Sequence, residues 1–406
     1  MRRLADYWHE NLEARGKKLE SLDSTKRDKI LQEIRGDFDL RETLRSRMAR
    51  AAKELTSLTD EEYRVLDALS DNDRVVVYGG AGTGKTMLAT DVATKIAASG
   101  RKVLFTCYSK PLARHLSESL PGVEVKDIYT FMATKIAEAG LTNHLPNASQ
   151  ADLETVFYPE FCSKALERLD QLEYYDAIIV DEGQDVLQRA ILDTLDNAVK
   201  GGLSGGKWLF ALDPHQDVHG RRSDHWKKLL GTYSPAVCKL TTNCRNTAQI
   251  ATANQILTGL CNEQTLKAHG PDVEQAWVRD DSALRREVGR TLNKLLSEGI
   301  KPEDIVVLGT KRLNSGQLAQ NLPPCPFPVT EVDWVGRSHI RYRTVPEYKG
   351  LESDAVLVVG VDSLEKGDYP LYVACSRPRT YLAIFFREDL RTRYDELASE
   401  WAANKL

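Results

Sequence analysis

VVVYGGAGTGKT, residues 75–86, joins a short apolar run to a glycine-rich turn and the start of a helix. Gly79, Gly84, Lys85 and Thr86 fit the spacing G-x-x-x-x-G-K-[ST] of a phosphate-cradling loop. The glycines at 79, 80, 82 and 84, with Ala81 and Thr83 between them, let backbone N–H groups come close to phosphate oxygens. A helix beginning near Lys85 adds its positive N-terminal end. In such a loop Lys85 is expected at the β- and γ-phosphates of ATP, and the Thr86 hydroxyl at Mg²⁺.

A phosphate loop needs an acidic partner, and YDAIIVDEGQD (residues 175–185) supplies one. It reads as an apolar strand ending in Asp181 and Glu182. A carboxylate at the end of a neighbouring strand suits the Mg²⁺ shell, so Asp181 joins Thr86 as a metal ligand. The adjacent Glu182 is placed to polarise water, which points to hydrolysis and away from transfer to a second substrate.

Around these motifs the chain of 406 residues is too long for one ordinary core. It is 42% hydrophobic and 28% charged, the composition of a globular protein. No apolar run approaches the ~20 residues of a membrane span, and MRRLADYWHENLEARGKK at the N-terminus has no apolar stretch behind its arginines. The seven cysteines stand singly, a pattern that suits a reducing cytoplasm and neither a zinc site nor a disulfide framework. With a net charge of −4, a nucleic-acid binder must gather its basic residues in a local groove.

Residues 1–56 are dense in both charge signs at helical spacing, and read as an N-terminal helical segment: a solvated hairpin on the main body, or a dock for a protein partner. From Leu58 the texture changes to apolar runs alternating with helical stretches: RVVVYGG, KVLFTCY, DAIIVDE and KWLFALD, then DIVVLGT, DAVLVVG and TYLAIFF. Runs apolar throughout imply strands buried on both faces, hence α/β architecture with parallel sheets. GTYSPAVCKLTTNCRN (residues 231–246) separates the two groups as a crossover. The expected domains are 57–235, with a small insertion at about 117–175, and 236–406.

DEGQD resembles motif II of the UvrD/Rep-like superfamily 1 helicases, and further segments follow in that family's order. YSKPLARHL resembles motif Ia, DIYTFMATKIA the Thr-Phe segment after it, and LFALDPHQDV motif III, with Asp213 and Gln216. LTTNCRNTAQI resembles motif IV, with Arg245. TVPEYKGLESDAVLV resembles motif V, with Lys349, Gly350, Leu351 and Glu352, and YVACSRPRTYLAI motif VI, with Arg377. The resemblance implies two RecA-like P-loop domains with ATP between them, the second a compact 2A whose usual 2B insertion is absent or vestigial. It implies that Gln216 senses the γ-phosphate, that Arg245 and Arg377 reach it from the second domain, and that Gly350 and Glu352 join the nucleotide site. It further implies a cytoplasmic ATPase and translocase on single-stranded DNA, moving 3′ to 5′.

Four positions depart from the family pattern. His219 and Arg221 stand where motif III carries base-stacking aromatics, with Trp226 downstream as a substitute or a core residue. Glu62 occupies the place of the adenine-reading Gln, and Cys244 that of the motif IV Tyr. A regulatory ATPase subunit, for example beside a nuclease in a defence complex, is the competing reading. A small-molecule kinase shares the phosphate loop and has no use for the KGLE element.

Overall fold

A computed structural model describes residues 42–55, 72–169, 174–213, 225–260, 264–265, 268–316, 318, 324–332 and 338–404. The readings at Glu62, Gln216, His219 and Arg221, and of the N-terminal segment before residue 42, lie outside the described residues.

The first sheet is built from Arg74–Tyr78 (β1), Val103–Cys107 (β2), Glu124–Asp127 (β3), Ala177–Val180 (β4), Lys207–Leu212 (β5) and Ala236–Lys239 (β6). Its order is β3-β2-β4-β5-β1-β6, and every pairing is parallel. β2 and β4 are buried at every position, as their unbroken apolar runs require. Helices Lys85–Ala98 and Lys110–Ser119 pack Leu88, Ala93, Leu112 and Leu116 on one face of the sheet. Ile128–Glu138, Tyr158–Arg168 and Arg189–Ala198 pack on the other around Phe131, Leu166 and Trp208.

A two-stranded pair, Thr242–Asn243 (β7) with Gln264–Thr265 (β8), begins inside the crossover. The second sheet comprises Glu274–Val278 (β9), Ile305–Gly309 (β10), Val329–Thr330 (β11), Ile340–Thr344 (β12), Ser353–Val361 (β13) and Pro378–Arg387 (β14). Its order is β11-β12-β10-β13-β14-β9, again parallel throughout. The chain is therefore α/β with two RecA-like parallel sheets, as the apolar runs imply.

Three boundaries differ from the sequence reading. β6 lies beyond residue 235 yet pairs with β1, so the first sheet reaches Lys239. Val237 on this edge strand is exposed, and a half-solvated edge carries no apolar run to reveal it. β3 sits inside the span assigned to the insertion, but it is a sheet strand; the helical excursion begins at Ile128. Helix Leu44–Leu55, grouped by sequence with the N-terminal segment, packs on β14 and adds Met48 to the core of the second sheet. Leu44–Leu406 forms one unit.

Candidate nucleotide site

The phosphate loop leaves β1 at Tyr78 and enters helix Lys85–Ala98 through Gly84, which takes the left-handed conformation (φ 82°) as the N-cap. No side chain caps this helix, so its first N–H groups stay available to an anion. Gly82 (φ +83°) cannot carry a side chain: a Cβ would stand 2.4 Å from the Asn243 Oδ1 of the crossover. Lys85 is buried and donates from Nζ to the carbonyls of Gly79 (2.8 Å) and Gly80 (2.7 Å), with the Asp213 carboxylate 3.6 Å away. The ammonium thus rests on its own loop, directly beside the position a phosphate would take.

β4 delivers the acidic pair. The Thr86 hydroxyl donates to Asp181 Oδ2 at 2.7 Å, and Asp181 Oδ1 accepts from the Glu182 N–H at 2.9 Å. Burial, together with the charge of Glu182, pushes the Asp181 carboxyl up to about 6. Burial opposes ionisation of Glu182 as well, but Lys349, Lys85 and Arg377 together hold it below the usual carboxylate range. Glu182 is one of two non-glycine residues with positive φ among those described (φ 49°, ψ 39°). That conformation costs about 1–3 kcal/mol and fixes the direction of the side chain. Gln184 completes the frame, donating to Glu182 Oε2 at 2.6 Å and accepting from the Asp213 N–H at 2.9 Å.

The second core closes over this edge. Arg245 pairs with Glu352 through Nε at 2.7 Å. Arg377 is 1% exposed; its Nε donates to the Val373 carbonyl at 3.0 Å and its Nη2 to Ser376 Oγ at 2.8 Å. Burial and the nearby Arg245 lower its basicity, while Glu182 and Asp213 favour its charge. Gly350 (φ +82°) brings the motif V loop against helix Lys110–Ser119, so close that a Cβ would meet Leu112 Cδ2 at 2.6 Å. A cleft of about 560 Å³ lies between the cores, lined by Gly82, Gly84 and Thr86 on one side and Arg245, Gly350, Glu352 and Arg379 on the other.

The structure thus gathers most of the sequence-predicted residues at one edge, with Arg377 wholly buried and Arg379 on the cleft wall. Trp226 is 8% exposed and packs against Tyr78 with ring centroids 5.7 Å apart, a core residue and not a surface stacking platform. Two residues of the second core make cross-core contacts that had no assigned role. Lys349 Nζ reaches Asp185 Oδ2 at 2.5 Å and Glu182 Oε2 at 3.9 Å, and the Tyr372 hydroxyl accepts from the Ala81 N–H at 2.8 Å. Both residues lie inside the motif V and VI stretches, so their position was legible in sequence and their partners were not.

A family model described as an AAA domain matches residues 61–203. A solved structure described as two coordinating Pif1 helicases unwinding forked double-stranded DNA is 14% identical, covering 85% of this chain and 98% of that chain, with a TM-score of 0.41. No curated protein matches. Sheet order, phosphate loop and acidic pair define a P-loop fold of two RecA-like cores with a cleft between them.

Proposed function

We propose that the protein is an Mg²⁺-dependent ATPase of the UvrD/Rep-like superfamily 1 type that translocates on single-stranded DNA, 3′ to 5′. The observation that carries this reading is the Thr86–Asp181 pair with the strained Glu182 beside it on the first core, and Arg245 on the facing wall of the cleft that Thr86 lines. The residues fit the ion: a hydroxyl and a carboxylate oxygen 2.7 Å apart are hard donors of the kind Mg²⁺ takes. Thr86 and Asp181 would hold it, and when bound it neutralises charge on the phosphate oxygens.

The chain's own residues do the rest. The unoccupied N–H groups at the start of helix Lys85–Ala98 hold the phosphates. Lys85 leaves the Gly79 and Gly80 carbonyls for the terminal phosphate. Glu182, kept ionised by Lys349, Lys85 and Arg377, accepts a proton from the attacking water. Arg245 and Arg377 stabilise charge in the transition state only while the cores are closed, which makes hydrolysis and domain motion one event.

The test is the steady-state ATP hydrolysis rate with and without single-stranded DNA, single-stranded RNA and duplex DNA. Stimulation of tenfold or more by single-stranded DNA is expected. A rate indifferent to every nucleic acid would overturn the translocase reading, and no hydrolysis at all would overturn the enzyme.

A further inference from the structure

We infer that Tyr372 is a positioning residue that ties the phosphate loop to the second core and so sets how much of the enzyme is closed and competent. The inference rests on the ATPase reading above.

Tyr372 lies on helix Tyr369–Ser376 of the second core, whose first turn is fixed by Asp368 accepting from the Leu371 N–H at 2.9 Å. Its side chain is 0% exposed, and its hydroxyl accepts from the Ala81 N–H, 291 residues away in sequence. Ala81 is 2% exposed and packs among the apolar residues of the second core, with Val373, Ala374 and Ile250. The next residue is gripped as well. The Gly82 carbonyl accepts from the N–H groups of Cys244 (2.8 Å) and Arg245 (3.1 Å) on the crossover. The crossover is in turn fastened to the motif VI loop, because Asn246 Nδ2 donates to the Pro378 carbonyl at 2.6 Å and the Ser376 carbonyl at 3.2 Å. The tip of the loop therefore sits in a socket belonging to the other core.

The socket biases a two-state gap. With the cores apart, Ala81 N–H and the phenol both return to water and lose little. With the cores together, both are buried and the phenol oxygen accepts from the Ala81 N–H. Removing the hydroxyl alone leaves a buried N–H unpaired in the closed state and does nothing to the open state. That shifts the balance toward open by about tenfold, within the range found for a buried unsatisfied donor. The ring stays, so the apolar packing of the helix stays with it. The N–H groups at the start of helix Lys85–Ala98 are untouched, so nucleotide still has its anchor.

The experiment compares wild type, Tyr372→Phe and Lys85→Ala in the full chain. It measures kcat and KM for ATP, and hydrogen exchange of the peptide containing Ala81. Tyr372→Phe should lower kcat about tenfold with KM within about threefold, and should speed exchange at Ala81. Unchanged kcat with unchanged exchange overturns the inference, as does a raised KM at constant kcat, which would make Tyr372 a simple binding group. Lys85→Ala should abolish hydrolysis while leaving Ala81 protected. If wild type itself hydrolyses nothing while Tyr372→Phe still speeds exchange, the socket stands and the ATPase reading falls.

Discussion

Lys85 and Glu182 are both charged and both buried, yet their loss should have different consequences. Lys85 is the proposed phosphate-facing cation, and its ammonium braces the loop through Gly79 and Gly80. Lys85→Ala should weaken nucleotide binding and stop turnover together. Glu182→Gln keeps the backbone conformation and the shape of the pocket, and removes the proton acceptor. ATP should still bind, within a few-fold of wild type, while kcat falls by ~10²-fold or more. Fluorescent-nucleotide titration alongside steady-state rates separates the two, and wild-type turnover in Glu182→Gln would strike Glu182 from the catalytic set. The placement of these residues beside β1 and β4 was readable in sequence because the spacing around each is stereotyped. The strain at Glu182 was not, since a positive φ on a glutamate leaves no mark in the letters.

Helices and strands were legible in proportion to their burial. The central strands β1, β2, β4, β5, β10, β13 and β14 appear as apolar runs because both faces are covered. β3 (Glu-Val-Lys-Asp) and β6 (Ala-Val-Cys-Lys) are edges whose solvent contact admits charge, so pattern alone passes over them. Helix Leu44–Leu55 shows the converse. Its arginines and lysines read as a wet face, but Met48, Ala51 and Leu55 are buried. Burying large apolar side chains of this size stabilises a core by about 1.5–3 kcal/mol each. Removing residues 1–43 should leave basal ATPase within about twofold of the full chain. Extending the cut through Leu55 should lower the melting temperature by several degrees and expose the second core to proteolysis. Equal melting curves for the two truncations would show that this helix is dispensable.

Across the whole molecule, the proposed catalytic groups are divided between the cores: acid and loop on one, arginines on the other. Arg377→Ala should therefore reduce turnover by ~10³-fold with much less effect on nucleotide affinity. Arg379, on the cleft wall and 3.5 Å from Asp354, is the control; Arg379→Ala should change kcat by less than about tenfold. If the two variants lose activity equally, the transition-state role cannot be assigned to Arg377. The division also explains which part of the site sequence could not supply. Motif spacing located each residue on its own core, but the pairings Lys349–Asp185 and Tyr372–Ala81 join positions 164 and 291 residues apart. Only the closed arrangement of two sheets makes them neighbours.

Helix Leu44–Leu55 has one more consequence, which concerns time. Its partners on the second core include Phe385, and they leave the ribosome roughly 330 residues after the helix does. At about 5–20 residues per second, the apolar face of the helix waits some tens of seconds for the surface it belongs to. Over that interval the first sheet can be completed, β6 included, while Met48 stays uncovered. The chain is thus born with an early segment in escrow, and the second core reaches its full packing only when β14, almost the last strand made, arrives to receive it.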